Sequence, residues 1–124
     1  MKTVLVADDD PILREIAAEY LRDAGFSVDL AEDGEAALRA AEAGRYDLVV
    51  TDMVMPNLDG IELLRALRSS CPGTPVIAIS AGIAGENADL LLRAAKAVGA
   101  VSVLPKPLVR SVFVDHVRAA IAGR

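Results

Sequence analysis

Five short apolar runs, each followed by a longer segment whose apolar residues recur at helical spacing, constrain this chain more than any other feature. The runs are Thr3–Ala7, Phe26–Ala31, Leu48–Asp52, Pro75–Ser80 and Val101–Leu104. After the first comes Asp10-Pro11: Asp is a good N-cap, and Pro is tolerated at the first helical position. Leu13, Ile16, Ala17, Tyr20, Leu21 and Ala24 then follow the helical period, and Gly25 suits the place just past the end. Further helices are expected over Gly34–Ala43, from Asp59-Gly60 through Ile61, Leu64 and Leu67, over Glu86–Val98 and over Val109–Ala122. Such alternation, with short connections, predicts an α/β fold with five parallel strands in one sheet and helices on both faces. Continuously apolar strands agree, because a parallel sheet is covered on both sides.

A length of 124 residues suits a single domain, read as 1–124, with Met1-Lys2 a natural start before the first strand. The chain is 53% hydrophobic but only 3% aromatic, without Trp, so the core is expected to be aliphatic. A formal net charge of −5 argues against nucleic acid or anionic membrane as partner, since such binding needs clustered Lys and Arg. One cysteine, Cys71, allows no internal disulfide, and no apolar stretch is long enough to span a bilayer. These features predict a soluble, cytoplasmic domain.

In an open sheet of this class, ligands collect beyond the C-terminal ends of the strands. The sequence puts Asp8 and Asp9 after the first strand, Asp52 at the end of the third, Ser80 at the end of the fourth and Lys106 after the fifth. Three gathered acids repel one another unless a cation holds them, and an oxygen-only site suits Mg²⁺. Asp9 and Asp52 are the direct ligands expected, with Asp8 binding directly or through water and the backbone carbonyl of Val54 completing the protein's share. Asp10 is assigned to the helix cap instead. Lys106, between Pro105 and Pro107, supplies a cation for Asp52 or for an anion bound there, and Ser80 supplies one hydroxyl donor. Carboxylate, metal, hydroxyl and ammonium together describe acyl phosphate chemistry.

The acid pair Asp8-Asp9, Asp52 followed by Met55-Pro56 and Asp59-Gly60, Ser80-Ala81, Gly99-Ala100 and Lys106-Pro107 occur here in one order and spacing. In this the chain resembles the response-regulator receiver domains, the CheY-like family of two-component signalling, from Thr3 to about Ile121. The resemblance implies strand order 2-1-3-4-5, phosphorylation of Asp52 by a phosphohistidine on a histidine kinase or histidine phosphotransfer protein, and Mg²⁺ on Asp8 and Asp9. It implies Lys106 on the phosphoryl group, Ser80 as the switch hydroxyl and a cis Lys106–Pro107 peptide. It also implies a signalling domain and not an enzyme, one that catalyses its own phosphorylation and dephosphorylation and acts on a downstream protein or in onward relay. Alternatives are a receiver fragment of a larger regulator or hybrid kinase, and an Mg²⁺-dependent aspartyl-phosphate phosphohydrolase. The last usually needs a second acid where Val54 stands.

Three positions depart from the family's pattern. Val103 replaces the usual switch aromatic, so no rotating ring reports phosphorylation. Gly82–Asn87 adds about one helical turn between Ser80 and Lys106. Val54, two residues after Asp52, cannot orient water by hydrogen bonding, which predicts a long-lived phosphoryl group. His116 and Cys71 are read as a surface residue and an inert turn residue. The fourth helix carries Leu90, Leu91, Leu92, Ala94, Ala95, Ala97 and Val98 over more than one face. With the fifth strand and fifth helix it is the expected partner or dimer surface.

Overall fold

The computed structural model describes residues 1–81 and 86–123. The elements are β1 (Thr3–Ala7), α1 (Pro11–Asp23), β2 (Ser27–Ala31), α2 (Gly34–Ala43), β3 (Leu48–Asp52), α3 (Gly60–Ser70), β4 (Val76–Ala81), α4 (Glu86–Val98), β5 (Ser102–Lys106) and α5 (Arg110–Ala122). All five strands are parallel, in the order β2-β1-β3-β4-β5. The expected fold class and topology are therefore observed. Of the Gly82–Asn87 segment, residues 82–85 lie outside the described residues, as do the side chains of Leu91 and Leu92.

Alternate residues of a strand face opposite sides of a sheet, and the core divides accordingly. Leu5, Ala7, Val49 and Ala78 meet α2, α3 and α4 through Ala37, Ala41, Leu63, Leu64, Leu67 and Ala95. Val4, Val6, Val50, Ile77 and Ile79 meet α1 and α5 through Ala17, Ala18, Leu21, Phe113 and Val117. The expectation of a purely aliphatic core needs one correction: Phe113 is completely buried and is the largest such side chain. Its ring on α5 belongs to the same cluster as the small residues Ala17 and Ala18 of α1.

β5 also runs further than the sequence indicated. Its register carries on through Ser80↔Pro105 and Ala81↔Lys106, so Lys106 belongs to the strand and not to a loop beyond it. Proline removes a ladder donor, but β5 is an edge strand, where that loss is tolerated. The consequence is functional, because a strand fixes the lysine's direction better than a loop does.

Two segments next to the strand ends touch closely. Asp33 caps α2 by accepting from the Ala36 N–H at 2.8 Å, and its other oxygen accepts from Asn57 Nδ2 at 3.1 Å. Asn57 sits at φ 71°, a left-handed conformation that Asn tolerates better than most residues. A Cβ on Gly34 would lie 1.8 Å from the Leu58 carbonyl oxygen, so only glycine lets α2 approach here. The start of α2 thereby rests on the loop that leaves Asp52.

Candidate functional site

β1 and β3 are neighbours in the sheet, which brings their C-terminal acids together. Asp8, Asp9 and Asp52 each offer a carboxylate oxygen, and the three atoms lie within 4.8 Å of one another. Asp8 and Asp52 are buried, whereas Asp9 is exposed. Lys106, from the end of β5, donates to Asp8 Oδ2 and Asp52 Oδ2, both at 2.9 Å. The predicted acids and the predicted lysine are thus one cluster, and the Lys106–Pro107 peptide is cis.

The electrostatics follow from burial. Desolvation pushes the Asp52 carboxyl above its ordinary pKa, with the Asp8 charge adding to it, against the pull of Lys106. Burial alone would lower Lys106. The hydrogen bonds and charges of Asp52 and Asp8 outweigh it and hold the ammonium above its ordinary value. One ammonium does not balance three carboxylates. The hard oxygens are adjacent, and one is on an exposed side chain, so the residues present fit a small divalent cation of the Mg²⁺ type.

The backbone around the acids is ordered by local bonds. Asp10 accepts from the Ile12 N–H at 2.9 Å and the Leu13 N–H at 3.4 Å, the cap assigned to it from sequence. The Asp10 N–H donates to Asp8 Oδ1 at 3.0 Å. On the β3 side, the Val54 N–H donates to Asp52 Oδ1 at 3.3 Å, while the Val54 side chain is 55% exposed. Buried Ser80 lies in β4 one residue beyond Ile79, the register partner of Asp52; the strand runs one residue further than expected, to Ala81. Val103 is half-buried against the α2–α3–α4 side of the core.

Sequence reasoning missed Arg14, which donates from Nη1 to the Asp8 carbonyl at 2.8 Å. It also missed the support that Asp33, Gly34 and Asn57 give the loop after Asp52. Such long-range contacts leave no local pattern to read. His116 needs a correction: it is half-buried, with Nδ1 3.0 Å from Ser102 Oγ, and so links α5 to β5. Cys71 stands at the C-cap of α3 with its thiol 3.5 Å from the Ala41 carbonyl.

The response regulator receiver domain family matches residues 4–118. The chain belongs to that family. Among curated relatives, this receiver is 42% identical to the response regulator receiver protein Anae109_2439 of Anaeromyxobacter over 108 residues, 87% of this chain and 44% of that protein. It is 37% identical to the response regulator MprA of Mycolicibacterium vanbaalenii over 118 residues, 95% of this chain and 49% of the relative. The receiver spans about half the length of these relatives. Among solved structures it is similar to the Francisella response regulator 1452 receiver domain, at 34% identity and a TM-score of 0.84 with 98% of each chain covered. It is also similar to the response regulator TrrA of Thermotoga maritima, at 31% identity and a TM-score of 0.82, covering 97% of this chain and 99% of the other. That structure is a complex with Mg²⁺ and BeF. Among the described residues of the receiver, no helix is long and apolar enough to cross a membrane.

Proposed function

We propose that this receiver takes a phosphoryl group onto Asp52 from a phosphohistidine donor on a histidine kinase or phosphotransfer protein. It then signals through altered protein contacts or onward relay. The observation that carries the reading is the bridging of Asp8 and Asp52 by Lys106 at 2.9 Å, with Asp9 beside them. The Mg²⁺–BeF complex of TrrA supports it by likeness.

An Asp52 carboxylate oxygen attacks phosphorus, the phosphorus–nitrogen bond breaks, and the imidazole leaves with the electron pair and is protonated. Asp8, Asp9, Asp52 and the Val54 carbonyl would hold Mg²⁺. When bound, the ion neutralises phosphoryl oxygens. Lys106 gives its ammonium to a phosphoryl oxygen in place of one of the two carboxylates it now holds. The Ser80 hydroxyl donates to another. Most of the acceleration comes from positioning and charge, as is general for phosphoryl transfer. Incubation with acetyl phosphate and Mg²⁺, followed by intact mass, tests the reading. Wild type gains one phosphoryl group and Asp52→Asn gains none; equal labelling of the two would overturn it.

Val54 bears on lifetime. Its exposed isopropyl group stands beside Asp52 without a side-chain donor or acceptor for water. The phosphoryl group should therefore decay several-fold more slowly in the wild type than in Val54→Asn, by loss of label over time. Equal or faster decay in the wild type would contradict this.

The α4–β5–α5 face is the proposed contact surface, with Leu90 64%, Val101 50%, Val109 59% and Val112 47% exposed. A beryllofluoride-treated sample should sediment with a concentration-dependent increase in mass. A monomer at every concentration, treated or not, would remove the dimer.

A further inference from the structure

Asp8 is held at four points. Its N–H donates to the Ala31 carbonyl at 3.2 Å. Its Oδ1 accepts from the Asp10 N–H at 3.0 Å, and its Oδ2 accepts from Lys106 at 2.9 Å. Its carbonyl oxygen accepts from Arg14 Nη1 at 2.8 Å. That carbonyl belongs to the peptide linking Asp8 to Asp9. The Asp9 carboxylate is exposed, and among the described residues no side-chain or backbone partner holds it. Asp9 is therefore ordered through its neighbours: the Asp10 N–H bond to Asp8 Oδ1 closes a turn over it, and Arg14 grips the oxygen of the peptide that joins it to Asp8.

Arg14 is well placed to act as an anchor. It is the fourth residue of α1, and its own N–H donates to the Asp10 carbonyl at 2.9 Å, so the helix fixes its Cα. Its half-buried side chain reaches back over the first turn, while the Asp10 side chain caps the same turn from the other end. A planar guanidinium on a fixed helix loses less freedom per bond than a lysine ammonium would.

We infer that Arg14 is a positioning residue of the acidic site: by holding the Asp8 carbonyl it sets where the Asp9 carboxylate stands for a divalent cation. This rests on the reading of Asp8, Asp9 and Asp52 as cation ligands. The sign of the effect separates it from a plain charge effect. Arg14 brings a positive charge close to a cation site, so on Coulomb grounds alone its removal would tighten cation binding. Loss of positioning weakens it. Removing an outer partner of a metal ligand commonly costs about tenfold or more in affinity.

The test is calorimetric titration of Mg²⁺ into wild type, Arg14→Met, Arg14→Lys and Asp9→Asn. The Met variant keeps an apolar stem and loses only the donor and its charge, so it should fold. Its Mg²⁺ dissociation constant is expected to rise about tenfold, while Arg14→Lys recovers most of that loss. Unchanged or tighter binding by Arg14→Met, or failure of Arg14→Lys to recover, overturns the positioning role and leaves the site reading intact. No saturable binding by wild type, or undiminished binding by Asp9→Asn, overturns both.

Discussion

Lys106→Met should lose about 3 kcal/mol of stability at pH 7 without divalent ions, because it leaves two buried carboxylates facing each other with no shared cation. Urea unfolding measures this directly. Mg²⁺ should restore much of the loss: at about a hundredfold excess over its dissociation constant, linkage contributes roughly 2.7 kcal/mol. The variant should also bind Mg²⁺ more tightly than wild type, since the ammonium that competes for Asp8 and Asp52 is gone. Yet it should accept phosphate poorly, because the same ammonium is the group proposed to neutralise the incoming phosphoryl oxygens. The pH dependence has a definite sign. The folded-state pKa of Asp52 lies above its ordinary 3.8, through burial first and the Asp8 charge second. Its favourable contribution is therefore complete below the unfolded value and lost as pH rises through the folded one. Without Lys106 that window widens upward, so the variant should regain stability relative to wild type as pH falls from neutrality. A variant as stable as wild type in metal-free buffer, or one that Mg²⁺ does not rescue, would contradict the account.

Gly34→Ala should do damage of a different kind. Its new methyl would lie 1.8 Å from the Leu58 carbonyl oxygen, which is backbone and cannot swing aside. Either α2 or the loop after Asp52 must move, and such overpacking costs about 1–3 kcal/mol, occasionally more. That loop carries Val54, whose N–H bonds Asp52 and whose carbonyl is a proposed cation ligand. Phosphorylation from acetyl phosphate should therefore slow along with the loss of stability. Glu35→Ala, one residue on and exposed, should change neither. A Gly34→Ala protein with an unchanged urea midpoint and phosphorylation rate would show that the two segments do not depend on each other.

These two positions mark what could and could not be read from residues alone. The strands were legible because their runs are short and mostly apolar, and the start of α1 because Asp10-Pro11 precedes helical periodicity. Once strands and helices alternate, topology decides which ends meet, so Asp8, Asp9, Asp52 and Lys106 could be placed on one edge in advance. Gly34 read only as a helix start, because its need for space comes from Leu58, far away in sequence. Arg14 drew no reading at all, because a side chain bonded to a backbone carbonyl leaves no pattern. β5 read short because its apolar run ends at Leu104, although an edge strand accommodates Pro105 and carries on to Lys106.

Which aspartate carries the phosphoryl group can be settled by treating the protein with acetyl phosphate and Mg²⁺, reducing the acyl phosphate with borohydride and mapping the resulting homoserine by peptide mass. The account predicts homoserine at position 52 alone, and none when Mg²⁺ is chelated. Homoserine at residue 8, 9 or 10, or labelling that is indifferent to the metal, would contradict it.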